Sequence, residues 1–291
     1  MKTSGTHLIS TLTSMAASIR VVVAACAIVF TVNGPAPAGI VFTETFQYPI
    51  GSNLAGQNGG TGFSGAWSGG DSTIVAGIGG AGTAVQVGTQ SSRSLNATVG
   101  TSGTSTYFTY LMSASSFSGG NYTGISLWNG GTENMFFGIP WNAQKFGFDA
   151  HGGNGAADIK AVDFTPSPNT TYLVAVGLVP SATAGKVDVK MWATSNLAID
   201  PNTLIAGSAN ASLIGSRNNF SYNTVSVAGN YAGSLKVSGL ASSPNVSEAA
   251  SVSIAVASIP EIDPAGFGSV AALVTGALGL IERRRLRTKA A

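Results

Sequence analysis

Cysteine is nearly missing from this chain: one residue in 291, Cys26, inside an apolar N-terminal stretch. Histidine is almost as scarce, with two residues, and charged side chains make up only 9% of the total. Each shortage excludes a chemistry. A single cysteine forms no intrachain disulfide and no thiolate metal cluster. His7 lies close to the N-terminus, so a serine triad would have to use His151, and no G-x-S-x-G stands near a strand-to-helix turn. Glutamate is thin as well. Between residues 39 and 258 only Glu44, Glu133 and Glu248 occur, far apart, whereas a glycosidase needs two carboxylates at a fixed separation. The E-x-D at Glu261-Ile262-Asp263 lies in a linker between Pro260 and Pro264.

The formal charge of +2 and the pI of 8.7 come from the two ends. Residues 39–258 carry seven basic side chains against nine acidic ones, which leaves −2. A weakly acidic body with scattered lysines offers no electrostatic footprint for nucleic acid.

What the ends hold is sorting information. Lys2 and Arg20 precede the apolar run Val21 to Val32, and Ala36-Pro37-Ala38 fits an A-x-A cleavage site before Gly39. This predicts a signal peptide over 1–38, removed by signal peptidase after export, with Met15 as an alternative start. Cys26 would leave with it. At the other end, Ile259-Pro260-Glu261 opens a polar link. A sixteen-residue apolar stretch, Gly266 to Ile281, leads into a basic tail over 282–291. A helix of that length spans roughly 24 Å against a hydrocarbon core of about 30 Å. Arg283, Arg284, Arg285 and Arg287 would hold its end in the cytoplasm.

The order Pro-Glu, apolar helix, Arg cluster, chain end resembles the PEP-CTERM sorting signal of bacterial envelope proteins. In that family a membrane protease, exosortase, removes the helix and releases or transfers the protein outward. The resemblance covers Ile259 to the C-terminus, with the motif over 259–264. One departure is that the family's Pro-Glu-Pro reads Pro260-Glu261-Ile262 here, the next proline being Pro264. The resemblance implies an exosortase-type partner, a transmembrane helix over 266–281 serving as a transient inner-membrane anchor, and a final place at the cell surface or outside it. The alternative is a plain, unprocessed tail anchor.

Between the ends, short β-rich runs alternate with Gly, Asn, Ser and Pro clusters, and no convincing amphipathic helix stands out. Strands are expected over 105–113, 124–128, 134–139, 145–150, 171–178 and 186–193. Further ones are expected over 40–46, 83–87, 94–99, 234–238 and 252–257. In Lys186 to Ala193, Val187, Val189 and Met191 face one way. Lys186, Asp188, Lys190 and Trp192 face the other, which predicts a polar outer side. The expected class is all-β, a two-sheet sandwich over 39–258, with helix only at the chain ends. The succession Glu44-Thr45-Phe46, the glycine loop Gly59 to Gly69 closed by Trp67, Gly124 to Gly130, Phe136 to Pro140 and Thr171 to Val174 resembles the concanavalin A-like, LamG-type jelly roll. That resemblance implies a fold and little chemistry. Residues 196–258 would supply the returning edge strands, pairing near the first strand.

Two binding candidates follow. Asp149, Asn154 and Asp158 place oxygen ligands on a glycine loop, as calcium requires, although the spacing is not that of an EF-hand and the same residues serve a polar turn. No other cofactor is implied. Trp128, Trp141, Trp192, Tyr122 and Tyr231 are candidates for a sugar-stacking platform, set against core or edge packing. Six N-x-[ST] matches reflect the composition of an exported surface. The sequence therefore reads as an exported, non-enzymatic surface or matrix protein with a structural or adhesive role. The alternatives are a module binding envelope polysaccharide and, third, a divergent glycosidase.

Overall fold

The computed structural model describes residues 39–78, 82–117, 121–150, 158–229 and 235–258. Two antiparallel sheets face one another. The eight-stranded sheet contains β1 (Phe42–Glu44), β2 (Thr73–Ala76), β3 (Thr83–Gln86), β5 (Thr106–Ala114), β10 (Tyr172–Pro180), β11 (Lys186–Thr194), β12 (Ala211–Asn218) and β14 (Leu235–Ser243). Its order is β12-β11-β10-β5-β14-β3-β2, with β1 beside β3 along the same edge of β14. The six-stranded sheet runs β4 (Ser91–Gly100), β13 (Ser221–Gly229), β6 (Thr123–Asn129), β7 (Thr132–Ile139), β8 (Gly147–Asp149) and β9 (Ile159–Ala161).

The winding follows from which strands pair. Strands β3 to β6 alternate between sheets, and β3 and β5 pair with β14 while β4 and β6 pair with β13. An early ribbon wound against a late one across both sheets is a jelly roll. The expectation of an all-β, concanavalin A-like sandwich therefore holds. Of the late strands, β12 is an edge strand as expected, whereas β13 and β14 are a correction, since they lie inside their sheets. β14 does pair with β1, as expected of the returning segment.

Alternation explains the core. Phe108, Tyr110 and Met112 of β5 meet Ile125, Leu127, Phe137 and Phe148 of the other sheet, all fully buried. The Phe108 and Phe137 rings lie 5.2 Å apart. Each such side chain contributes about 1.5–3 kcal/mol by leaving water. The β6–β7 turn is a two-residue Gly130-Gly131 loop, both at positive φ, as a tight right-twisted hairpin demands.

Two helices cover the outer face of the larger sheet. α1 (Pro201–Ala206) starts at Asp200, whose carboxylate accepts from the Asn202 and Thr203 amides. α2 (Val246–Ser258) begins after Asn245, whose side chain accepts from the Ser247 amide, and it packs on β14 and β5. This overturns the strand expected over 252–257. The alternating Val252, Ile254 and Val256 suggested a strand. Asn245 and Glu248, three residues apart, are an N-terminal helix signal that outweighs them. The outer side of β11 is corrected too: Trp192 is buried, and its indole donates to the Gly207 carbonyl beyond α1. None of the helices among the described residues is long and apolar enough to cross a membrane. The signal segment 1–38 and the tail 259–291 lie outside the described residues.

Candidate functional site

The outer face of the six-stranded sheet is the candidate site. Inward residues of this sheet are large and apolar. Outward ones on β4, β13 and β6 and around Gly138 are mostly small, hydroxylic or aromatic, with Asp149 in register beside Phe136. One cross-strand row reads Ala228, Gly124, Gly138, Gly147, Ala161, in register over five strands. The missing side chains have a use. A Cβ on Gly124 would stand 2.9 Å from the tip of the Phe136 ring, so Phe136 lies across the bare backbone. Tyr122 stands edge-on to Phe136 at 5.7 Å, and Trp141 packs beside Tyr122 at 6.0 Å with a 31° tilt. Exposure rises along this stair: Phe136 is 3% exposed, Tyr122 half-buried and Trp141 49% exposed.

The opposite end of the same face is hydroxylic. Ser64, Ser68, Ser92, Ser94 and Thr224 line a cavity of about 130 Å³, with Arg93 beneath. Trp128 pairs in register with Thr224 and donates its indole N–H to Ser226 Oγ at 2.8 Å. The cavity strands β4 and β13 lie one to three strand spacings from β6 and β7, which flank the stair, roughly 5–15 Å across the sheet. Hydroxyl donors at one end and an open indole at the other can hold a polar, ring-shaped ligand lengthwise.

Glu44 does different work. It is fully buried, and its carboxylate accepts from the Phe46 amide, the Tyr48 hydroxyl, the Trp67 indole and Arg93 Nη1 at 2.8–2.9 Å. Arg93 spends its other donors on the Gly59 and Gly65 carbonyls and Asn58 Oδ1, and its guanidinium lies 4.2 Å from the Phe63 ring centre. Glu44 belongs to one sheet and Arg93 to the other, so the pair pins the sheets together and ties down the glycine loop. Burial, and then the Glu44 charge, push the Tyr48 phenol far above its ordinary range. A carboxylate so occupied is structural.

Of the calcium candidates, Asp149 is buried on β8 and Asp158 is half-buried just before β9, while Asn154 and His151 lie outside the described residues. Arg217 is a cation whose charge both acids influence. It is buried on β12 and donates Nη2 to the carbonyl of Asn134, which sits at a bulge in β7. Desolvation lowers its pKa, and the charges of Asp158 and Asp149 oppose that shift.

Sequence reasoning named Trp141, Tyr122 and Trp128, and the structure places all three on this face. It removes Trp192 from it, while Tyr231 lies outside the described residues. Phe136 and the glycine row were not foreseen as parts of a site, because only the strand register reveals that Gly124, Gly138 and Gly147 are neighbours. Also outside the described residues are Pro260, Glu261, Pro264, Arg283, Arg284, Arg285, Arg287, Ala36 and Ala38.

No family model matches the chain, and no curated protein sequence is similar to it. Among solved structures, the globular domain of T. cruzi calreticulin aligns over 75% of this chain and 93% of its own, at 10% identity and a TM-score of 0.46. The binding domain of botulinum neurotoxin DC in complex with rat synaptotagmin II aligns over 73% and 52%, at 10% identity and 0.45. The botulinum neurotoxin serotype G binding domain aligns over 74% and 50%, again at 10% identity and 0.45. The chain thus spans about half the length of the two neurotoxin chains.

Proposed function

We propose that this protein is a non-catalytic binding domain, exported and displayed outside the cell, which adheres to envelope polysaccharide through the outer face of its six-stranded sheet. The observation that carries the reading is Trp141, an indole 49% exposed and braced by Tyr122 and Phe136 over a glycine row. A rigid aromatic held open to solvent gives a sugar ring a flat apolar face at little entropic cost. Serine and threonine hydroxyls at the far end supply the polar contacts. Catalysis is not part of the proposal, since Glu44 is committed to Arg93, and neither is a calcium requirement.

Export rests on the sequence alone. The segment 1–38 would be removed on the way out, and exosortase-type cleavage near Pro260–Pro264 would detach the tail. Mass spectrometry of surface-extracted protein should recover no peptide beyond about residue 264, whereas an intact Arg283–Arg287 peptide would mean a permanent anchor.

A glycan array probed with the surface-extracted protein and its Trp141→Ala variant tests the binding claim. The wild type should bind a defined set of polysaccharides. The variant should melt at the same temperature and lose about tenfold or more in affinity, as expected for a central aromatic anchor. Equal binding by both proteins would refute it.

A further inference from the structure

A second pocket opens on the opposite side of the molecule, and its chemistry differs. The outer face of the eight-stranded sheet is covered by apolar residues for most of its length: Leu111, Leu173 and Ala84 pack beneath Leu197, Ile199 and Leu204. Two residues further along each strand the character changes. Leu111 gives way to Ser113, Leu173 to Thr171, and Ser238 to Lys236, with Ser113 and Lys236 directly opposite in register. The cover stops at this row. What remains is a cavity of about 310 Å³ lined by Ser113, Ser115, Asn169, Thr171 and Lys236, with Ile78 as its one large apolar contact. That volume is at the lower end for small-molecule sites.

The composition selects the ligand. Three hydroxyls and an amide surround one ammonium, and no acidic residue belongs to the lining among the described residues. The other cations of the body that face acids or hydrogen-bond acceptors are already engaged: Arg93 with Glu44, Arg217 with Asn134, and Lys186 with Asn218. Lys236 is half-buried over a neutral polar floor, so its charge is met by whatever enters. Asn169 is held there in the left-handed region at φ 57°, with its amide donating to the Ala114 carbonyl, which fixes one wall.

We infer that this pocket takes one uronic acid unit of an acidic polysaccharide, its carboxylate on Lys236 and its ring hydroxyls on Ser113, Thr171 and Asn169. The inference rests on the polysaccharide reading for the source of the ligand, but it uses a different face and a different contact. Together the two faces would let one domain cross-link neighbouring chains.

The test uses the surface-extracted protein with an oligogalacturonate and a neutral oligosaccharide found to bind on the array. Titration should show oligogalacturonate binding that weakens with added salt, as a charge contact does. Lys236→Met should reduce it by about tenfold or more, Lys236→Arg should keep most of it, and Trp141→Ala should leave the salt-dependent part in place. Neutral ligand binding should ignore Lys236→Met. Unchanged oligogalacturonate affinity in Lys236→Met, with neutral binding still dependent on Trp141, would overturn this inference and leave the adhesive reading standing. Loss of neutral binding dependence on Trp141, with Lys236 still required for oligogalacturonate, would do the reverse. Equally tight, Lys236-dependent binding of acetate or a peptide C-terminus would overturn the sugar assignment.

Discussion

Glu44 and Arg93 show how a single pair can organise a loop. Both side chains are almost wholly buried, and Arg93 donates from all three of its guanidinium nitrogens. Their loss should be read as an uncompensated charge and not as one missing contact. Arg93→Met should destabilise the protein by about 3–5 kcal/mol in urea unfolding, and a loss below 1 kcal/mol would show that Glu44 finds another partner. In the sequence Glu44 was legible only as one of three isolated glutamates. Its partner lies 49 positions away, a distance that pattern reading does not cross.

Asp71 offers a milder case. Its carboxylate accepts from the Thr89 amide and hydroxyl, and these bonds lower its pKa. A lowered folded value contributes stability above the unfolded value, about 3.9. That contribution fades as pH falls through the lower folded value. Asp71→Asn should therefore melt below the wild type at pH 7, with the gap closing in acid. A gap that is constant from pH 7 to pH 2 would remove the carboxylate from the account.

At the scale of elements, β14 depends on an irregularity. Its register with β5 shifts between Ser238 and Ala241, and Gly239 occupies the break at φ 60°. The bulge lets β14 serve β3 along one half and β1 along the other. It also seats α2: Ser253 donates to the Gly239 carbonyl and lies 3.0 Å from the Thr109 hydroxyl. A Cβ at Gly239 would come within 2.7 Å of the Ser253 Cα. Gly239→Ala should cost at least about 1–2 kcal/mol from the left-handed backbone alone, and denaturant unfolding measures it. A neutral result would mean that α2 sits loosely.

Strands with continuous apolar character, such as β5 and β10, were legible because a strand buried on both faces needs no polar side. The cover over them was not. The sequence of α1 is too short for a helical period, and in α2 small and β-branched residues imitate a strand. β12 and β13 are rich in Ser, Gly and Asn, and their strand state comes from partners more than from their own propensity.

For the molecule as a whole, the sandwich presents two outer faces of unlike chemistry. One is a glycine-based sheet face that carries an aromatic stair. The other is a helix-covered face with a polar opening at Lys236. The sequence told the fold class and the separate aromatics. It did not tell which aromatics stand together, because that depends on strand register and on which face the helices cover.

Tryptophan emission tests the central claim most directly. Trp67 and Trp192 are buried, Trp128 is half-buried and hydrogen-bonded to Ser226, and Trp141 is the exposed indole. Titrating the protein with its envelope polysaccharide should shift the emission to shorter wavelength and saturate, as a sugar ring replaces water on Trp141. The shift should vanish in Trp141→Ala. A wild-type spectrum that does not respond while polysaccharide binds, or an equal shift in the variant, would contradict the assignment of this face as the binding surface.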